Sequence, residues 1–218
     1  MKIKALILGA AMAVAAFPAM ADGYNRVTVS YENESYSSSD KDFTDGFSAN
    51  GFGIEYTRGF GVASFPLYIE AGLKATFGFH NDSEKAYGMK LEDKFTAISL
   101  NIPVNVAYRI DLGANNMSVT PYTGLNFRVR LTAQDKVTIS DEDDSQSNTI
   151  SWFDKDEFDP TAKRFQMGWN IGARFNYGPF GIGLGYTLDF MRFYNVDEEG
   201  YKAHISTGTF HVGLSYTF

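Results

Sequence analysis

Beyond its first twenty or so residues, the chain alternates apolar and polar side chains with a period of two. Eight stretches show it, at about 24–31, 50–58, 67–79, 95–110, 118–132, 166–177, 180–193 and 207–218. Such alternation predicts strands with two unlike faces. In the stretch 67–79, Leu67, Ile69, Leu73, Phe77 and Phe79 share one face, whereas Glu70, Gly72, Lys74 and Gly78 share the other. The stretch 166–177 repeats this, with Met167, Trp169, Ile171 and Phe175 set against Gly168, Asn170, Gly172 and Arg174. Across all eight stretches no apolar-face position is charged, and Thr123 is its only non-aromatic hydroxyl.

Periodicity alone does not say which face turns inward. A soluble lipocalin-like carrier would bury the apolar face around a ligand. Three features favour the opposite arrangement. An eight-stranded barrel has an interior barely wide enough for side chains, which suits the glycine-rich face better than the bulky one. The charges on that face, Glu55, Glu70, Lys74, Arg128, Arg130, Arg174 and Asp189, are of mixed sign and suit pairing in a narrow lumen. Connections alternate between long (about 32–49, 80–94, 133–165 and 194–206) and short, as in outer-membrane barrels.

The predicted fold is therefore all-β, an eight-stranded antiparallel up-and-down transmembrane β-barrel spanning residues 22–218. Lipid offers backbone groups no hydrogen bonds, so a sheet crosses it only when closed. A charge on the lipid face at mid-depth costs roughly 2–4 kcal/mol, which accounts for the absence of charge there. Tyr31, Phe79, Tyr108, Tyr177, Phe190, Tyr216 and Phe218 fall near strand ends, where aromatic girdles sit.

Composition narrows the picture further. The 218 residues contain no cysteine, which removes disulfides, thiolate metal sites and thiol chemistry. Aromatics reach 16% beside 21 glycines, and a net charge of −7 makes nucleic acid a poor partner. Residues 1–21 read as a secretory leader: basic Lys2 and Lys4, an apolar run from Ala5 to Phe17, then Ala19-Met20-Ala21 as the cleavage site.

Three patches carry a family resemblance. Phe210, Val212, Leu214, Tyr216 and Phe218 alternate along the last strand, which closes on an aromatic residue. Ile98 to Tyr108 contains Leu100-Asn101-Ile102-Pro103, and Thr120 to Gly124 contains Pro121-Tyr122-Thr123-Gly124. With these the chain resembles the small outer-membrane β-barrel proteins of the OmpX/OmpA-like and PorT-like group. The resemblance implies the cell outer membrane as location and the last strand as the signal read by the barrel-assembly machinery. It also implies outer-membrane lipid and lipopolysaccharide as surroundings, and it leaves the activity open, because function lives in sites grafted onto a fold.

Candidate chemistry is sparse. The interior charges are expected to form a plug that does not conduct. The acidic stretch 133–165 is expected to protrude as a hairpin, with Val137 and Ile139 continuing the outward face and 149–153 forming a short strand. There Trp152 and Phe153 are candidate contacts for a surface partner. Asp154, Asp156 and Asp159 lack the glycine and terminal glutamate of a calcium loop, so no metal is assigned. His80 and His211 are expected to face the lumen and His204 to lie in a loop. No G-x-S-x-G elbow occurs, and neither catalysis nor a cofactor is expected of what reads as a monomer. A rim enzyme acting on lipid or lipopolysaccharide is the alternative.

Overall fold

The computed structural model describes residues 23–40, 46–62, 65–86, 89–113, 116–140, 145–155, 161–198 and 201–218. The expected leader at 1–21 lies outside the described residues. Among the described residues eleven strands follow one another: β1 (Tyr24–Ser38), β2 (Phe47–Gly61), β3 (Leu67–Ala86), β4 (Met89–Tyr108), β5 (Ile110–Asp111), β6 (Met117–Ser140), β7 (Ser145–Ser151), β8 (Phe165–Tyr177), β9 (Phe180–Asp189), β10 (Tyr194–Glu198) and β11 (Tyr201–Thr217). Eight of them form a closed antiparallel ring in the order β1-β2-β3-β4-β6-β8-β9-β11, with β11 returning to β1. β5, β7 and β10 are short additions to single neighbours.

The faces are sorted as the alternation predicts. Val29, Ile54, Leu73, Val106, Leu125, Ile171, Leu184 and Leu214 are each 38% or more exposed on the convex surface. Arg128, Arg130 and Arg174 are buried inside. A lipocalin-like carrier would show the inverse. Even the polar exceptions on the outer face are satisfied: Thr123 donates to the Asn170 carbonyl at 3.0 Å and accepts from the Trp169 indole at 2.5 Å. The seven expected girdle aromatics are all exposed. Ring closure leaves no bare backbone edge around the apolar band, the condition for crossing hydrocarbon.

Two prolines test the sheet, since proline cannot donate to a ladder. Pro103 sits where the β3–β4 pairing is interrupted, between Ala71↔Val104 and Lys74↔Asn101. Gly72 faces it there; a Cβ on Gly72 would lie 3.0 Å from Pro103 Cγ and 3.1 Å from the Tyr56 carbonyl oxygen. Pro121 lies just beyond Tyr122, the last β6 residue paired with β4.

The start of β1, the end of β11 and the short connections share one end of the barrel, where Gly178 takes a positive φ in the tight turn between β8 and β9. The opposite end departs from expectation. The stretch 80–94 contains less loop than predicted, because β3 and β4 continue to Ala86 and Met89. Within 133–165, expected as a hairpin, β6 runs to Ser140 and pairs with β7 at Ser145–Ser151 in place of 149–153. Together β3, β4, β6 and β7 form a four-stranded extension beyond the apolar band. A bulge opposite Ile98/Ser99, at Leu131 of β6, reverses the alternation above it. Val137 and Ile139 therefore share the inward side of the extension with Phe95 and Asp135 and do not continue the outward face. His204, expected in a loop, is in β11 opposite Asn195.

Candidate functional site

Alternation places charged side chains in the lumen, and burial demands that each find a partner. Near the end with the short connections, Glu70 of β3 is fully buried. Its two oxygens accept from Arg26 Nη1 and Nη2 at 3.0 and 3.2 Å, and Oε1 also accepts from Arg174 and the Tyr24 hydroxyl. Halfway along, Lys74 Nζ lies 2.6 Å from Glu32, which also accepts from Ser30. Towards the other end, Glu34 accepts from Arg128 and from Arg130, whose Nη2 is 2.5 Å away. Arg128 also reaches Asp189 at 3.1 Å, and Asp189 accepts from Thr207 at 2.6 Å. Arg130, without exposure, donates to Gln166 at 2.8 Å and to the Tyr36 hydroxyl at 2.8 Å.

All seven charges expected inside are inside, Glu55 included, where it accepts from Thr57 at 2.6 Å. Sequence reasoning missed Arg26, Glu32 and Glu34. With them Arg26, Lys74, Arg128, Arg130 and Arg174 face Glu32, Glu34, Glu55, Glu70 and Asp189, as many cations as anions. The missed three flank the apolar run Val27, Val29 and Tyr31 on β1. Following the same parity to Tyr36 would have found the two glutamates.

Glycine shapes the rest of the lumen. Tyr122 lies across Gly172 and Gly185, where any Cβ would run into its hydroxyl oxygen. It thereby reaches His211 on the far wall, its oxygen 3.0 Å from Nε2. A cavity of about 60 Å³ is lined by Glu32, Glu55, Lys74, Tyr122 and His211 among others, and one of about 50 Å³ lies beside Tyr24, Arg26 and Asn176. Ligand pockets begin at roughly 300 Å³, so each of these spaces suits a few waters at most.

Above the ion pairs an aromatic layer covers the mouth. Tyr36 stacks on Phe47 at 4.5 Å and meets Phe95 and Phe193 edge-on at 5.2 and 5.5 Å. The Arg130 guanidinium lies 4.9 Å from the Phe193 ring centre, joining this layer to the charges below. Trp152 and Phe153, expected as exposed partner contacts, instead pack half-buried against the layer. Trp152 lies 5.6 Å from Phe193 and donates its indole N–H to Asp135 at 2.6 Å. Phe153 carries the Arg164 guanidinium at 4.0 Å. The reversed parity of β6 explains the difference: it turns Ala133 and Asp135 inward, and the chain leaving β7 folds over them.

Burial pushes the Asp135 carboxyl up to about 6, helped by nearby Asp93 and opposed by the indole donor. Its folded value exceeds its unfolded one, so the folded state binds the extra proton. The contribution to cap stability is complete below about pH 4 and is lost as pH rises through about 6. In a Trp169→Phe background, Trp152 fluorescence should report a looser cap at pH 7 than at pH 4.5, and Asp135→Asn should flatten that dependence.

Neither inward histidine is part of a Ser-His-acid arrangement among the described residues. His80 Nδ1 meets the Ser48 carbonyl at 2.9 Å, and His211 meets Tyr122. No group of acidic and histidine side chains suited to a metal occurs among the described residues. Asp156 and Asp159 of the calcium candidate lie outside them, as do Asp141 to Asp144.

A family model described as the outer membrane protein beta-barrel domain matches residues 5–218. Among solved structures the chain is similar to Ail, the attachment invasion locus protein of Yersinia pestis, in complex with the heparin analogue sucrose octasulfate. Identity is 13%, covering 90% of this chain and 99% of that one, with a TM-score of 0.45. It is similar to a major outer membrane protein from Thermus thermophilus (16% identity, 88% and 99% covered, TM-score 0.42). Neisserial surface protein A is a third (15% identity, 90% and 100% covered, TM-score 0.41). No curated protein sequence matches the chain.

Proposed function

We propose, since this chain belongs to the outer membrane protein beta-barrel domain family, that it is a non-conducting barrel with a structural and surface-contact role. The protein resides in the outer membrane. In this reading residues 1–21 are removed as a secretory leader, and the end with the short connections faces the periplasm. The β3–β4–β6–β7 extension then stands outside the cell, the usual placement of the longer excursions of such barrels.

The observation that carries the reading is the Glu34–Arg128–Arg130–Asp189 network beneath the aromatic layer. A hydrated ion could pass only by separating buried charge pairs, and stranding one member is strongly unfavourable. The same packing leaves no room for a carried ligand. A surface role follows from the extension, which the apolar band does not need and which places folded sheet beyond the lipid.

Purified protein in planar bilayers is expected to give no steady single-channel current. Reproducible unitary currents would overturn the sealed reading. Intact activity against phospholipid or lipopolysaccharide, lost in His80→Ala, would overturn the non-enzymatic one.

A further inference from the structure

The outward side of the extension differs in charge from the rest of the molecule. Pairing register aligns its residues in rows across β3, β4, β6 and β7. Phe79, Thr96, Gln134 and Ser151 make one row, and Asn81, Lys94, Lys136 and Thr149 make the next. Phe79 is the last apolar residue of the β3 outer face, so the lysine row begins about 7 Å further along the strand. That is the depth of lipid headgroups. The flanking residues fix the orientation: Phe95 is buried, and Asp135 bonds Trp152 within the cap. Lys94 and Lys136 must therefore point away from the barrel axis.

Lys94 and Lys136 are direct cross-strand neighbours. Like charges so placed destabilise a sheet. Lys85 and Lys90 stand opposite one another two rows higher, on the same face. The one carboxylate on this face of the described residues is Glu92, which pairs with Lys90 and lies 3.2 Å from Lys94. No described carboxylate pairs with Lys136. On neighbouring β2 and β1 the outward positions of the same two rows are neutral: Asn50 and Asn33 in the first, Ser48 and Ser35 in the second. In a chain of net charge −7, four lysines on one side of one sheet, just above the lipid, form a directed cationic surface.

We propose that this face, centred on Lys94 and Lys136, binds phosphate groups on the sugar headgroup of an outer-leaflet glycolipid. A phosphate between the two ammonium groups turns their repulsion into two charge-assisted contacts. Hydroxyls of Thr138, Thr149 and Ser147 on the same face offer bonds to sugar oxygens. The apolar band immediately below takes the acyl chains, so one lipid is held at two levels. The inference rests on the placement of the extension at the outer leaflet; protease access from outside intact cells tests that placement separately, and the conductance result does not bear on it.

The test compares the thermal unfolding midpoint in phosphatidylcholine vesicles with that in vesicles also carrying a bisphosphorylated glucosamine lipid. Binding to the folded state alone raises the midpoint. The wild type is expected to gain several degrees, Glu92→Gln to gain more, and K94Q/K136Q to lose most of the gain. In phosphatidylcholine alone the double variant should unfold at or above the wild-type midpoint, because its repulsion is gone. An equal gain in the double variant, or an equal gain from the dephosphorylated glycolipid, overturns the proposal. So does an equal gain from inorganic phosphate added to phosphatidylcholine vesicles, which would assign the face to a soluble anion.

Discussion

Glu70→Ala is expected to destabilise the folded barrel by about 3–5 kcal/mol, the usual cost of removing one partner from a buried ion pair. Glu70 is the single acceptor on which Arg26, Arg174 and Tyr24 converge from β1 and β8. Its removal strands two guanidinium groups that are 4% and 8% exposed. Glu70→Gln keeps the shape but not the charge and should cost nearly as much. The sharper control removes all charges together: Arg26→Met, Glu70→Leu and Arg174→Met should recover most of the loss, because the pairs hold charge in place more than they add net stability. Urea unfolding in vesicles, read by tryptophan fluorescence and by mobility on unheated gels, measures each variant. A loss below about 1 kcal/mol for Glu70→Ala would mean that water, not protein, already solvates this end of the lumen.

Ile171→Arg should cost roughly 2–4 kcal/mol in a bilayer, the penalty for an arginine at the midplane of a lipid-facing strand. Ile171 is 60% exposed and central in β8, where Phe165, Met167, Trp169, Ala173, Phe175 and Tyr177 are its same-face neighbours. Asn33→Arg, outward on β1 but above the apolar band, should stay within about 0.5 kcal/mol of wild type, as surface substitutions usually do. Depth dependence is the signature. Equal costs at the two positions would mean that hydrocarbon does not surround Ile171.

The ring and its inside-out faces are legible in the sequence because hydrocarbon is a strict selector: it admits no charge on alternate residues of eight stretches. Where that selection stops, so does the signal. Beyond Tyr31 the outward residues Asn33 and Ser35 are as polar as the inward Glu32 and Glu34, so β1 continues to Ser38 with no alternation to read. The extensions of β3 and β4 are hidden for the same reason, whereas Val137 and Ile139 betray that of β6. Parity is a second blind spot. A single extra residue at the β6 bulge exchanges the two faces above it, and no local composition marks Leu131 as that residue. The fate of Trp152 and Phe153 follows from this. Two large aromatics in an acidic stretch read as a sticky surface, yet reversed parity supplies Ala133 and Asp135 as a floor on which they settle. The interior charges lie between these cases: residues inside the apolar stretches are identifiable, whereas their partners on β1 lie at or past its margins.

The pairing of β1 with β11, Val29 opposite Leu214, joins the first and last strands of the described residues. Closing that seam carries the loop entropy of all the strands between them, and contacts this distant in sequence make folding slow. No partial barrel is available on the way, because any shorter piece is a curled sheet with two raw edges open to pairing with other chains. Closing the β1–β11 seam is therefore expected to be the last step in forming the ring. A truncation anywhere in β11 should produce aggregates or degradation products in place of a smaller barrel.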